Sequence, residues 1–222
     1  MKRLALSILV IIIALALVLV PKEQYKGLTG KASQGTASVS FRILGPCGNI
    51  FMEDGWNLIS ICSNMTNKTI IPALSEIDGQ YRYVMEWNGS SQEFLIYSPL
   101  AAINPFNEFN ENKSYFIYLI PGSAEINPSG NVFDEMQIFL LFGWNAPTYP
   151  YEQQADISGY LSTIPGQYRY VMKWNATEQR FLIYSPLAAV PEFINISQGE
   201  GQFIYIENAS GATLKYNRSI LG

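Results

Sequence analysis

Two stretches of this chain alternate apolar and polar positions with a period of two, and they are nearly the same stretch. GQYRYVMEWNGSSQEFLIYSPLAA, residues 79–102, returns 87 positions later as GQYRYVMKWNATEQRFLIYSPLAA, residues 166–189. In the first copy Tyr81, Tyr83, Met85 and Trp87 share one side, and Arg82, Val84, Glu86 and Asn88 the other. That period predicts a strand with one face in water. The run 94–97 is apolar and aromatic, as strands prefer. The polar links 88–91 and 175–178 suit hairpin turns. Pro99 and Pro186 stand where the second strand should end.

The pattern extends around each hairpin. Val39, Phe41 and Ile43 alternate with Ser40 and Arg42, predicting an extra strand ahead of the repeat. Residues 49–52 correspond to 137–140, and Gly55-Trp56-Asn57 to Gly143-Trp144-Asn145, with an offset of 88. Ile70, Leu74 and Ile77, like Ile157, Leu161 and Ile164, have the spacing of one side of a short helix. Asp156 is placed to cap the second of these. Further strands are expected at 114–120, 124–127, 202–207 and 212–216. The run 136–142 is more uniformly apolar than its counterpart, which predicts cover on both sides, as at a seam. Pro147 and Pro150 argue for an edge or broken strand after Trp144. Pro128-Ser129-Gly130-Asn131 reads as a hinge.

The fold expected is therefore mainly β: two tandem repeated β units, about five strands plus one short helix each, after an N-terminal transmembrane or signal helix. The boundaries are 1–20 for that helix, 21–37 for a polar stalk, 38–128 for the first unit and 129–222 for the second.

The N-terminal element is Lys2 and Arg3 followed by an unbroken apolar run, residues 4–20. Seventeen residues is at the short end for crossing a bilayer. No small-x-small cleavage site follows closely, which favours a retained anchor over a cleaved signal peptide. The positive flank then stays in the cytoplasm and the rest is sent outside. The expected location is the cell surface, with the membrane met through residues 4–20, or secretion if the leader is cleaved. Residues 21–37 have the Gly, Lys, Ser and Thr content of a flexible stalk.

Composition narrows the chemistry. Aromatic residues make up 14% of the 222 and charged residues 14%, with net charge −4 and no histidine. Charge is scarcer than in an average soluble chain, roughly a quarter of whose residues are charged. Without a basic face nucleic-acid binding is not expected. Without histidine there is no Ser-His-Asp or Cys-His catalysis and no histidine metal site. Glu53-Asp54 and Asp134-Glu135 lack the spaced loop of a Ca²⁺ site. No acidic pair for glycoside hydrolysis sits in both copies, since Glu86 becomes Lys173. The expectation is no enzyme, no cofactor and no metal.

Cys47 and Cys62 are the only cysteines and bracket the Gly55-Trp56 turn. In an exported chain they suggest a disulfide closing a short loop, worth about 3 kcal/mol; two buried thiols are the alternative. Eight Asn-x-Ser/Thr sequons, at Asn64, Asn67, Asn88, Asn112, Asn175, Asn195, Asn208 and Asn217, all fall in expected loops, turns or strand ends. They predict a sugar-coated surface, against a bland Asn-rich composition. Tyr81, Tyr83, Trp87 and their copies Tyr168, Tyr170 and Trp174 could stack on a sugar, but opposite a charged face they read first as core.

From Gly55-Trp56-Asn57-Leu58-Ile59-Ser60 onward the chain resembles a β module of prokaryotic secreted and surface-layer-type proteins. There a GWNLISLP-like strand, a short helix, an aromatic hairpin ending in Tyr-x-Pro and a "GYWI"-like strand follow in order. The hairpin matches at 81–99 and 168–186, and the last motif weakly at 114–117 and 201–204. The second unit loses the Leu-Ile-Ser. The resemblance implies a surface or stalk module and transfers no catalytic residue. Three functions follow as expectations: a non-catalytic envelope protein with a structural or adhesive role; a carbohydrate-binding module; or a filament subunit that adds its extra strand at 39–44 to a neighbour's open edge. The partners so implied are other envelope proteins, further copies of itself, or glycans.

Overall fold

The computed structural model describes Gly48–Asn217, and these residues fall within one compact unit. The apolar run 4–20, the stalk 21–37, the strand expected at 39–44 and Cys47 lie outside the described residues.

The chain is mainly β. The part carrying the first copy holds β1 (Ile50–Met52), β2 (Gly55–Ser60), β3 (Ser63–Met65), β4 (Tyr81–Asn88), β5 (Glu93–Tyr97), β6 (Ser114–Leu119) and β7 (Ala124–Ile126). The part carrying the second holds β8 (Gly130–Val132), β9 (Glu135–Leu140), β10 (Gly143–Asn145), β11 (Ala155–Asp156), β12 (Tyr168–Asn175), β13 (Arg180–Tyr184), β14 (Asn195–Ile196), β15 (Gln202–Ile206) and β16 (Ala212–Asn217). Two antiparallel sheets of four strands result, ordered β2-β6-β4-β5 and β10-β15-β12-β13. Short ladders flank them: β1 with β7, β9 with β16, β11 with β14 and β3 with β8. As the prolines suggested, β10 is a short edge strand, three residues where β2 has six.

The apolar triads form as spaced. Ile70, Leu74 and Ile77 are buried on a helix of one turn, Ile70–Ala73, and a 3₁₀ turn, Ser75–Ile77. Ile157, Leu161 and Ile164 do the same from the helix Ile157–Tyr160. Asp156 caps that helix, its side chain accepting from the amides of Ser158 and Gly159. Each triad covers one face of its sheet, against Val84, Tyr97 and Ile117 in the first copy and Val171, Ile204 and Ile206 in the second.

That covered face is the one expected to be wet. The register of β4 slips between Tyr81 and Tyr83, and that of β12 between Tyr168 and Tyr170. A bulge adds one residue and turns the following side chains over. Tyr81 therefore joins Val84 in the helix-covered core, and Glu86 is buried with them. Met85 and Trp87 face the opposite way, toward the other copy. Strict alternation could not show this, because the bulge sits inside the alternating run.

The seam also differs from expectation. The run expected to be covered on both sides, 136–142, is mostly β9. It pairs with β16 and alternates, with Met136, Ile138 and Leu140 buried and Phe139 exposed. The seam is made by the aromatic faces of the two hairpin sheets. Phe116 meets Phe203 at 6.2 Å, Trp87 meets Phe203 at 5.6 Å, and Phe116 meets Trp174 at 5.4 Å. Backbone joins it too. The Ser60 amide donates to Gly199 O at 2.9 Å and the Gly201 amide to Leu58 O at 2.9 Å. The equivalent bonds run from Thr148 N to Asn112 O at 3.1 Å and from Ser114 N to Ala146 O at 2.8 Å. The outer edges of both Gly-Trp-Asn strands are thus paired across the seam.

The expected hinge is a strand. Gly130–Val132 pairs with Ser63–Met65. A Cβ on Gly130 would fall 2.2 Å from Asn64 O, so the close approach requires glycine.

Candidate interaction surface

The Gly-Trp-Asn turns are where each copy is gripped by the other. The Asn57 side chain closes its own turn, accepting from Glu53 N at 2.8 Å and donating to Glu53 O at 2.7 Å. Asn145 makes the same two bonds to Leu141, at 2.8 and 2.7 Å. The turn holds the backbone of the intervening Trp out toward the opposite hairpin. Trp87 Nε1 donates to Trp144 O at 2.9 Å, and Trp174 Nε1 donates to Trp56 O at 2.7 Å. Gln92 Oε1 accepts from Trp144 N and its Nε2 donates to Trp144 O, both at 2.9 Å. Gln179 does the same to Trp56, at 2.9 and 3.0 Å.

Gln92 and Gln179 hold positive φ, 58° and 51°, a region that costs a non-glycine residue about 1–3 kcal/mol. The hydrogen bonds to the opposite copy offset that cost. These glutamines escaped the sequence reading. Their signal was present: GSSQE and ATEQR agree only at the glutamine.

The six stacking candidates divide. Tyr81, Trp87 and Tyr168 are buried, and Trp174 is half-buried in the seam. Burial, with Tyr97 next to it, pushes the Tyr81 phenol up to about 12; burial and Tyr184 do the same to Tyr168. Only Tyr83 and Tyr170 keep an open ring. Tyr83 stacks on Trp56 with centroids 6.4 Å apart and planes 17° apart, and Tyr170 meets Tyr205 at 6.4 Å.

The charges opposite those aromatics are paired within each sheet. Glu86 bonds Lys113 and accepts from Tyr115 Oη at 3.1 Å. Burial and the Glu86 charge push the Tyr115 phenol up. Lys173, expected to be solvated, instead reaches Glu200 at 2.9 Å and lies over the Phe193 ring. Glu86 and Lys173 are equivalent positions, as are Lys113 and Glu200. The ion pair recurs with its polarity reversed, so each charge is neutralised by its neighbour. Among the described residues no three of His, Cys, Asp and Glu converge on a point that could hold a metal ion.

The surface that stays apolar lies elsewhere. In the loop after β5, Leu100 is 86% and Ile103 89% exposed; after β13, Leu187 and Val190 are each 85% exposed. The loops are Ser-Pro-Leu-Ala-Ala-Ile and Ser-Pro-Leu-Ala-Ala-Val and carry no charge. Each hairpin tip is fastened to the other copy, and each of these loops, here termed a pole, leaves its hairpin at the end away from the tip.

The poles are built differently. In the first, Asn104 clasps the loop: Ser98 N donates to its Oδ1 at 2.9 Å, and its Nδ2 donates to Ser98 O at 3.1 Å. The equivalent residue in the second is Pro191, whose ring can make neither bond. That loop is held from outside, by Glu192 accepting from Ile183 N at 2.7 Å and pairing with Arg180 at 2.9 Å. Beside it opens a pocket of about 380 Å³ of mixed lining, polar at Asp156, Ser158 and Ser185 and apolar or aromatic at Tyr184, Pro186, Ala188, Pro191 and Ile194. The sequence reading passed over these loops; eight exposed apolar residues do not look different from core on a hydropathy trace.

None of the eight sequon asparagines is buried, whereas the two buried asparagines, Asn57 and Asn145, are outside sequons. Cys62 is buried; its expected partner, Cys47, lies outside the described residues. Among the described residues no helix is long and apolar enough to cross a membrane. No protein-family model matches the chain, and no curated protein or solved structure matches it either.

Proposed function

We propose that the chain is a non-catalytic protein of the cell envelope, structural or adhesive in role. On this reading residues 4–20 meet the membrane and carry two tandem units of one plan, 38–128 and 129–222, outside it. The observation that carries the proposal is the pair of uncharged loops whose leucine, isoleucine and valine side chains stand almost wholly in water. Exposed apolar groups on that scale mark contact with something else, and their recurrence in both copies argues for use rather than accident. The accessible sequons support an exported, glycosylated surface. A Cys47–Cys62 disulfide and the surface-layer-type resemblance of the Gly-Trp-Asn and hairpin motifs are consistent with it. The test is fractionation of source cells with external protease, followed by intact-mass measurement. Protease-accessible protein heavier than its polypeptide is expected; intracellular protein of bare mass overturns the proposal.

A second reading is favoured by one observation. The Tyr83–Trp56 stack is an open aromatic platform of the sort that holds a sugar ring. Glycan-array binding lost in Tyr83→Ala, with the fold intact, would move the assignment to a carbohydrate-binding module.

A further inference from the structure

We propose that the first copy carries a binding site for a neutral oligosaccharide, built on Trp56, Tyr118 and Tyr83 with Arg82 and Asp54 at its rim, and that the second copy carries the same site closed. The inference gives the adhesive role a ligand, and it rests on the second reading above, that the Tyr83–Trp56 stack holds a sugar ring. Three observations carry it.

The first is an aromatic row that the seam leaves uncovered. Trp56 pairs with Tyr118 across β2 and β6, and Tyr83 pairs with Tyr118 across β4 and β6, so the three rings stand on one face of the sheet. Phe116 carries that same face into the seam. The row lies beyond it: Tyr83 is 36% exposed, and Trp56 and Tyr118 are half-buried. Trp174 and Gln179 of the other copy hold the backbone of Trp56, so the row is in place before a ligand arrives.

The second is the comparison with the other copy. Trp144, Tyr205 and Tyr170 form the equivalent row. There it is lidded. Arg169, at the bulge, lies over the Tyr170 ring at 5.4 Å and donates to its hydroxyl at 3.0 Å. Glu207 pins that guanidinium at 2.8 Å. Phe142 meets Tyr205 at 6.3 Å, and Trp144 is buried. The first copy keeps the bulge arginine as Arg82, but it has Ile120 in place of Glu207 and Asp54 in place of Phe142. The ring lid and the acid that pins the arginine are both gone.

The third is the chemistry of the rim. Among the described residues the side chains of Arg82 and Asp54 have no hydrogen-bond or ion-pair partner, and both residues are exposed. A guanidinium only donates and a carboxylate only accepts. A pyranose suits this combination. Its C–H face lies on aromatic rings, and its hydroxyls accept from Arg82 and donate to Asp54. An acyl chain would strand both ions. A nucleotide or a uronic acid would bring negative charge beside Asp54 and the neighbouring Glu53. The ligand class is therefore a neutral sugar.

The test titrates the full-length chain by calorimetry with neutral hexasaccharides of glucose, mannose and galactose, and with hexagalacturonate. One site per chain is expected for a neutral member, and none for hexagalacturonate. Ile120→Glu gives Arg82 the partner that Arg169 has, and Asp54→Phe lays a ring where Phe142 stands. Each should weaken binding about tenfold. Tyr170→Ala should leave it unchanged. Phe142→Asp combined with Glu207→Ile should open the second row and raise the stoichiometry to two. All four substituted positions are exposed, and circular dichroism checks that each variant is folded. Binding by no member of the panel removes the inference and the sugar-binding reading together. Neutral-sugar binding that Ile120→Glu and Asp54→Phe leave unchanged, that Tyr170→Ala abolishes, or that hexagalacturonate exceeds would overturn the inference alone.

Discussion

The seam and the poles teach opposite lessons about one duplicated sequence. At the seam the copies are alike. Trp87 and Trp174, Gln92 and Gln179, Phe116 and Phe203, and Asn57 and Asn145 make matching contacts across an approximate two-fold relation. Each copy is both clamp and clamped, so a change on one side would have to suit the other. At the poles no such reciprocity exists. One loop is tied by Asn104 and the other, with Pro191, lies beside a pocket. The two loops are held differently while both present apolar tips. Sameness marks where the molecule holds itself together.

The largest way to break this comparison is alkali. The phenols of Tyr81 and Tyr115 in the first copy are raised by burial. So are those of Tyr149, Tyr151, Tyr160, Tyr168 and Tyr216 in the second. A phenol with a raised folded-state pKa contributes its full stability below the unfolded value of about 10. That stability is lost as the pH climbs toward the folded value, about 12 for Tyr81 and Tyr168. Denaturant midpoints should be level up to about pH 10 and fall steeply above it. Amide exchange should accelerate first in the second copy, which holds more of these groups. A tyrosine absorbance change amounting to all fourteen phenols and complete near pH 10 with circular dichroism intact would contradict the burial.

Next in size is the seam itself. Trp87→Ala removes a buried ring that packs on Phe94 and Phe203 and leaves Trp144 O one donor short. The expected loss is about 3–5 kcal/mol. Trp174→Ala, at a half-buried site, should cost less. A urea melt that ranks them the other way, or finds both near zero, would show that the clamps are not what joins the copies.

The reversed ion pair gives a smaller and sharper probe. Glu86→Lys sets two cations together on the covered face beside Tyr115. We expect a loss of about 2–3 kcal/mol, below the range for a fully buried pair because Lys113 keeps about a third of its side chain in water. Glu86→Lys with Lys113→Glu copies the second unit's arrangement and should recover most of it. A double variant as unstable as the single one would mean the polarity is fixed by neighbours such as Tyr115 and not by the pair alone.

How much of this was legible in the sequence follows from the kind of signal each feature leaves. The repeat, the hairpins and the apolar triads are periodic, and period is what a sequence displays. Thus Ile70, Leu74 and Ile77 lie where their spacing put them. The bulges after Tyr81 and Tyr168 shift the period without altering composition, so the face of Val84 and Glu86 that was expected to be wet is covered by the helix, while that of Trp87 is covered, as expected, though by the other copy. The seam was misplaced to 136–142 because an apolar run resembles a buried strand, whereas β9 carries Phe139 exposed. The clamp depends on residues as far apart as Gln179 and Trp56, which no local window joins. The poles were hardest: Leu100 and Val190 differ from core residues only in what surrounds them, and that is a property of the fold.

The smallest effect sought is the helix cap, and it compares the copies at one position. Asp156 and Thr69 are equivalent. The Asp156 carboxylate accepts from the Ser158 hydroxyl and from the amides of Ser158 and Gly159, and these bonds hold it below the usual carboxylate range. Thr69 makes no side-chain bond to its helix. Asp156→Ala should therefore cost about 1 kcal/mol, and Thr69→Ala close to nothing. Because the folded-state pKa is lowered, the Asp156 contribution is present above its unfolded value near 4 and is lost as the pH falls below that. The gap between wild type and Asp156→Ala should accordingly close in acid, while the gap for Asp156→Asn, whose amide still caps, should be small at neutral pH. Equal costs for Thr69→Ala and Asp156→Ala would mean that packing of Ile70 and Ile157, not the cap, holds both turns.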